Sequence, residues 1–288
     1  MELITDVIRL GGTARTAELL QLGHGSHALT AAVRSGDLVR IRKGHYGLRD
    51  DAEAHHAYRI GGHLAGISAL KALGVWVPRG AHPLEIAVRP NTSRLHRPTD
   101  AARLLRSGEA LVHWDATTVL RSAPFAESAE RAIRRVANRV SPAELFAMFE
   151  SALRLGVIGA RRAVALRRDL ARTVDHRFAN AGRLSGSGAE SLVVFWLLGL
   201  DAPFVQQARI DGVGHVDVLL GDRQIVEVDG ERFHSGTEEF EADRRRQTVA
   251  SMLGYRTLRV SARMVEREFS LVAAAIAATI DRGDHRAA

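Results

Sequence analysis

Residues 214–234 read GHVDVLLGDRQIVEVDGERFH. Closely spaced Val, Leu and Ile, punctuated by Gly221 and Gly230, predict two β-strands, yet Asp217, Glu227 and Asp229 stand inside them. Strand side chains alternate with period two, so Glu227 and Asp229 share one face while Val226 and Val228 take the other. Asp217 likewise shares its face with Leu219. Loop length decides whether the acids meet. A two-residue turn at Gly221-Asp222 pairs Asp217 with Val226 and leaves Glu227 on the opposite face. A three-residue loop, Gly221-Asp222-Arg223, pairs Asp217 with Glu227 and His215 with Asp229. Three-residue loops are common in hairpins. Carboxylates directly opposite one another repel, and such a pair persists when a proton is shared or a cation lies between. Oxygen-only ligands favour Mg2+ or Mn2+ over zinc. The competing reading is a solvent face whose acids pair with nearby arginines.

A chain of 288 residues suits two or three domains, and 46% apolar residues suffice for real cores. The absence of cysteine excludes disulfides and Cys-rich zinc sites. The longest apolar runs, at 192–200 and 271–280, fall short of the roughly 20 residues that span a bilayer. The start, MELITDVIRL, has no basic n-region and predicts no signal peptide. Together these predict a cytoplasmic protein with no membrane partner. The net charge of +7 is uneven: residues 121–183 hold 13 basic against 6 acidic side chains, and residues 184–288 hold 12 against 16. A basic body with an acidic last third fits a protein that grips phosphates in one place and cations in another.

Residues 1–50 predict three short helices and a hairpin. Leu3, Ile4, Val7 and Ile8 have helical spacing, and Thr13 or Thr16 can cap a second helix containing Leu19 and Leu20. Ser26 is the expected N-cap of a third, with Leu29, Ala32 and Val33 buried and His27, Thr30, Ala31 and Arg34 outward. In LVRIRKGHYGL, Val39 and Ile41 alternate with Arg40 and Arg42 around a Lys43-Gly44 turn. This is the order of a winged helix-turn-helix, which sets its last helix in the major groove and its wing along the backbone. Ser26, His27, Thr30, Arg34, Arg40, Arg42 and Lys43 are then the expected contacts to double-stranded DNA. The alternative is a small interaction domain that never touches nucleic acid. The stretch GGTARTAELLQLG…ALTAAVRSGDLVRIRKGHYGL resembles the winged-helix domain of AbiEi-family antitoxin proteins, which implies DNA binding, often for self-repression.

The middle, residues 51–183, is the least informative. IGGHLAGISALKALGV predicts an apolar helix, PLEIAVRP and EALVHWD predict strands, and AERAIRRVANRV and ARRAVALRRDLARTV predict arginine-rich helices. Those arginines are either a DNA path or a solvated helical face. His55-His56 has no partner at metal-ligand spacing. NAGRLSGSGAE predicts a domain boundary near 183/184.

Over 189–263, the segments AESLVVFWLLGL, GHVDVLLGDRQIVEVDGERFH and DRRRQTVASMLGYRTLRV together resemble the PD-(D/E)xK nuclease superfamily. Within it they are similar to uncharacterised domains related to the very-short-patch repair (Vsr-like) endonucleases. The resemblance implies a mixed sheet flanked by helices, with Glu190 on a leading helix, Asp217 the first strand acid and Glu227 the second. Asp229 stands where the motif has its lysine, and His234 and Arg246 are candidate substitutes, one as a proton-transfer group and one as a phosphate-facing cation. Each has a plainer reading. Ser187-x-x-Glu190 is a capping box, Arg246 can pair with Asp243 at i, i+3, and His234 can be an ordinary loop histidine. Arg259, on the last strand, either steadies the acids or meets a phosphate.

The expected architecture is therefore α/β multidomain: a winged helix-turn-helix at 1–50, an α/β-helical middle at 51–183, and a restriction-endonuclease-like domain at 184–288. The expected activity is Mg2+-dependent (or Mn2+-dependent) cleavage of DNA, with Asp217, Glu227 and Glu190 as metal ligands. The alternative is a DNA-binding regulator or antitoxin-like protein with an inactive nuclease-like domain. An RNA-cutting toxin ranks last, since aromatic residues are only 5% and no stacking platform is visible. Self-association and a partner protein encoded nearby are left open.

Overall fold

The computed structural model describes residues 2–10, 12–48, 52–100, 102–115, 126–230 and 237–287. They form a mixed α/β chain with twelve α-helices and three sheets, in two compact units: Met1–Val75 with Gly80–Val136, and Trp76–Arg79 with Ala137–Ala288. The boundaries expected at 50/51 and 183/184 each fall inside a unit. Among the described residues no helix is long and apolar enough to cross a membrane.

The first unit begins with α1 (Glu2–Arg9), β1 (Thr13–Arg15), α2 (Thr16–Gln21), α3 (Ser26–Ser35), β2 (Val39–Arg42) and β3 (His45–Gly47). The three strands form an antiparallel sheet with β3 in the middle. Val7, Leu19, Leu29 and Leu38 close the core beneath it, each leucine stabilised by about 1.5–3 kcal/mol on leaving water. The expected stripe on α3 is present: Leu29 and Ala32 are buried and Val33 packs beside them. Two expected caps are corrected. Thr13 is a buried strand residue, and α2 starts after Arg15, whose N–H donates to Glu18 Oε2 at 2.7 Å. Gly25 rather than Ser26 is the N-cap of α3. The Lys43-Gly44 turn joins β2 to β3, with Gly44 at φ +81°, where a side chain is disfavoured.

Next come α4 (Ala52–Ile60), β4 (His63–Leu64), α5 (Gly66–Ala72), β5 (Glu85–Val88), β6 (Leu111–Trp114) and α6 (Ala129–Val136). The single helix expected over IGGHLAGISALKALGV is interrupted. Gly61 has φ +115°, and a side chain on Gly62 would collide with the Ala87 carbonyl oxygen, so the chain turns there and enters β4. β5 pairs with β4 antiparallel and with β6 in parallel. Buried acids tie these pieces together. Glu127 accepts from the Gly66 N–H at 2.8 Å and from Arg135 at 2.9 Å, and Arg135 also reaches Asp115 at 2.9 Å.

The second unit holds α7 (Pro142–Arg154), α8 (Ala160–Thr173), a 3-10 turn (His176–Asn180), α9 (Gly188–Leu197), β7 (Phe204–Ile210), β8 (Gly214–Leu220), β9 (Gln224–Asp229), α10 (Thr237–Met252), β10 (Arg256–Ser261), α11 (Ala262–Arg267) and α12 (Phe269–Asp281). α9 is apolar on nearly every side and packs on α7, with Phe195 and Phe146 ring centroids 5.2 Å apart. The sheet runs β10-β9-β8-β7; β7, β8 and β9 are antiparallel neighbours, and α10 carries the chain over so that β10 lies parallel to β9. Ala250 of α10 covers Val216 and Ile225 on one sheet face.

His63, only 3% exposed, is held neutral: burial pushes its pKa down to about 4. An unfolded histidine titrates near 6.5, so between about pH 6.5 and 4 the unfolded chain binds the extra proton and folding stability falls as pH drops. Urea melts at pH 7, 5.5 and 4.5 check this; His63→Asn should lose less stability over the interval than the parent, and parallel losses would refute it.

Candidate functional site

The three-residue loop Gly221-Asp222-Arg223 separates β8 from β9, and the register is Leu220↔Gln224, Leu219↔Ile225, Val218↔Val226. Continuing that register sets Asp217 opposite Glu227, as the odd loop length requires. Among the described residues, however, the pairing ends at Val218↔Val226. Beyond it the strands part: β8 stays with β7, where His215 pairs with Arg209, while β9 stays with β10, where Glu227 pairs with Arg259 and Asp229 with Ser261. The expected His215–Asp229 pairing is therefore absent. The carboxylate of Asp217 makes the fork, because its Oδ2 accepts the Val228 N–H at 2.8 Å.

Glu190 joins the fork from α9. Its helix start is fixed from several sides. The Trp76 indole lies against Gly188, where no Cβ would fit. The buried Glu150 of α7 accepts from Gly182 N–H at 2.8 Å, Ser185 Oγ at 2.7 Å and Ser191 Oγ at 2.8 Å. Ser187 Oγ caps the Glu190 N–H at 3.1 Å, and Glu190 Oε2 accepts the Gly186 N–H at 2.6 Å. Half of the expected capping box thus forms: Ser187 caps the Glu190 N–H, but the Glu190 carboxylate takes the Gly186 N–H in place of that of Ser187. The same carboxylate also faces the sheet: Gln207 Nε2 stands 3.3 Å from both Glu190 Oε2 and Asp217 Oδ1.

Gln207 was not legible as a site residue. It sits at φ +48°, a conformation that costs a non-glycine residue on the order of 1–3 kcal/mol. The strain places an amide between two acids. The only sequence signal was a Gln206-Gln207 pair interrupting an apolar strand.

Across the fork, Glu227 accepts from Arg246 Nη2 of α10 at 2.7 Å. The same guanidinium donates to the His215 carbonyl on β8, so Arg246 spans the gap between the parted strands. The plainer reading of Arg246, an i, i+3 pair with Asp243, does not hold. Asp243 instead accepts from Arg259 Nη1 at 2.5 Å, and Arg259 also grips Asp229 through Nε and Nη2 at 3.0 and 2.7 Å. These two carboxylates hold the Arg259 pKa above its ordinary value. Asp229 is thereby ion-paired with Arg259. His234 lies outside the described residues.

The electrostatics single out two acids. Burial, then the charge of Asp217, raises Glu190, and the same two causes push Glu227 up to about 7 despite Arg246. Like charges in a half-dry site have this effect. Among the described residues no three acids or imidazoles already close around one point. The donor chemistry could hold a hard divalent ion: Glu190 and Asp217 offer carboxylate oxygens without an arginine partner, the Gln207 amide between them carries a further oxygen, and Glu227 is paired with Arg246.

In the first unit, Ser26, His27, Thr30 and Arg34 share one exposed face of α3 with Ala31. Arg40 and Lys43 are exposed on the hairpin, but Arg42 is half-buried, its Nε donating to His45 Nδ1 at 3.3 Å. Arg42 is thus turned away from the outward face expected for it.

Residues 2–49 match the family model described as "Transcriptional regulator, AbiEi antitoxin". No curated protein matches the chain.

Proposed function

We propose that this protein binds double-stranded DNA and hydrolyses its phosphodiester backbone at the forked carboxylate site with Mg2+ or Mn2+. One observation carries the reading: the Gln207 amide stands 3.3 Å from both Glu190 and Asp217 where two strands part, and the charge of Asp217 helps to raise the pKa of both Glu190 and Glu227, the latter to about 7. The match of residues 2–49 to a transcriptional-regulator model supports a winged helix-turn-helix that brings the chain to DNA through α3 and the hairpin. The order of the sheet and the leading helix α9 support a PD-(D/E)xK-like second unit.

In this reading Glu190 and Asp217, whose carboxylates the Gln207 amide bridges, would hold the ion. A bound divalent ion supplies polarisation of the scissile phosphate and a water of lowered pKa. Glu227, poised near neutrality, takes up a proton at its carboxylate when water attacks. Arg246 offsets the charge of Glu227 and keeps the fork open. Arg259 puts a guanidinium beside Asp229, the position at which the motif has lysine. The second reading, a DNA-binding regulator whose acids do no chemistry, is favoured by the ion pairs of Glu227, Asp229 and Asp243 with Arg246 and Arg259.

Incubation of supercoiled plasmid with the protein separates the two. Nicking with Mg2+ or Mn2+, lost in EDTA, should fall by more than about 100-fold in Asp217→Asn, beyond what loss of a supporting contact costs. Uncut plasmid with either ion, or an unimpaired variant, leaves the regulator reading. In the metal-free protein, carbon-detected NMR should place the Glu227 carboxyl midpoint near 7. Asp217→Asn removes a like charge and lowers that midpoint, while Arg246→Met removes an opposite charge and raises it; a midpoint indifferent to both would dissociate Glu227 from the fork. For DNA binding, Arg34→Ala should weaken duplex affinity and reduce the slope of log K against log salt by about 1. An unchanged slope in gel-shift titrations would remove α3 from the interface.

A further inference from the structure

The first unit contains a cleft of about 350 Å3 that neither the α3 face nor the carboxylate fork uses. It is of small-molecule size. The β2–β3 hairpin, the Gly61-Gly62 turn and β5 with the residues after it line it, and among the described residues no carboxylate lines it. Its floor is dry: Tyr58 is 7% exposed, His63 3%, Ala87 0% and Val88 1%. Around this floor stand Arg15, Arg42 and Arg89.

These guanidiniums differ from others in the chain. Arg97, Arg131, Arg135, Arg177, Arg246 and Arg259 are all bound to carboxylates. Among the described residues, Arg15, Arg42 and Arg89 make no ion pair. Glu18, which acts on His45 and Tyr58 at longer range, is turned to the Arg15 amide. Arg42 is the telling member. It lies over His45, with its Nη1 3.6 Å from where a Gly61 Cβ would stand, and burial pushes its pKa below the ordinary value. A half-buried cation without a counter-charge is costly, and an arriving anion offsets that cost.

We infer that this cleft binds a small phosphorylated molecule of about nucleotide size, with its phosphate held by Arg15, Arg42 and Arg89 and its body against the Tyr58–Val88 floor. Guanidinium forks match phosphate oxygens in pairs. Tyr58 and His45, ring centroids 5.4 Å apart, give the body an aromatic wall. The apolar depth favours a terminal phosphate on a small molecule over the phosphodiester of a duplex, whose sugars hold it outside. The glycines matter here too: a side chain on Gly61 would reach toward Arg42 and Thr92 across the mouth.

The test is calorimetry and thermal shift on the full chain at constant ionic strength, with inorganic phosphate and adenosine monophosphate as probes. Both should bind, the nucleotide more tightly, and each of Arg42→Gln and Arg89→Gln should weaken binding by about tenfold or more. Arg89 is exposed and its replacement leaves the hairpin untouched, so it serves as the control for any folding defect in Arg42→Gln. Binding that survives both substitutions, or no binding of either probe, overturns the inference. Displacement of phosphate by a short duplex but not by the nucleotide overturns the small-molecule assignment in favour of a nucleic-acid backbone.

Discussion

Like charges facing one another on a half-dry sheet repel, and in the second unit the strands that carry Asp217 and Glu227 part just where the two acids would pair. Asp217 bonds the Val228 N–H with its own carboxylate, which takes the place of a strand-to-strand bond and ends the β8–β9 ladder at Val218↔Val226. The parting of the strands opens room for Arg246, which bonds both sides. It also leaves Glu227 and Asp229 in register with β10, so that Arg259 meets Asp229. A single polar side chain thus converts a continuous ladder into a fork lined with charges. Had Asp217 been valine, the hairpin could have continued and the acids of β9 would have had no gap to face.

The helices hold the remaining acid in place by a different means. Glu150 is almost wholly buried, and burial raises its pKa, yet three donors from the 182–191 segment converge on it. Buried polar groups demand such partners. The outcome is a loop that enters α9 at a set angle, with Trp76 closed over Gly188 and Glu190 directed to the sheet. Glu190 spends one oxygen on its own helix start and on Gln207 together, so the plain and the functional readings of that residue are compatible.

Much of this was legible in the residues. Period-two alternation and an odd loop length gave the register that runs to Val218↔Val226, although the pairing expected next, Asp217 with Glu227, does not form, and the 3.6-residue stripe of Leu29, Ala32 and Val33 located α3. What escaped was whatever depended on distant partners. The i, i+3 rule offered Asp243 as one partner for Arg246, but tertiary packing sent Arg246 to Glu227 and Asp243 to Arg259. Gln207 was invisible because only a left-handed backbone aims its amide at two acids. Arg42 alternated correctly with Ile41, but the register shift between Arg40 and Arg42 turned it inward. Periodicity reports faces; it does not report bulges.

The crossover through α10 has a consequence in time. The hairpin that carries Asp217, Glu227 and Asp229 leaves the ribosome before Arg246 and Arg259, which lie 19 and 30 residues after the acids they neutralise. Until those arginines leave the ribosome in turn, the acids lack these partners, and the fork has no brace. The strand that comes last in the chain, β10, therefore carries the arginine that balances Asp229, so the charge balance of this edge of the sheet is complete only once that strand is in place.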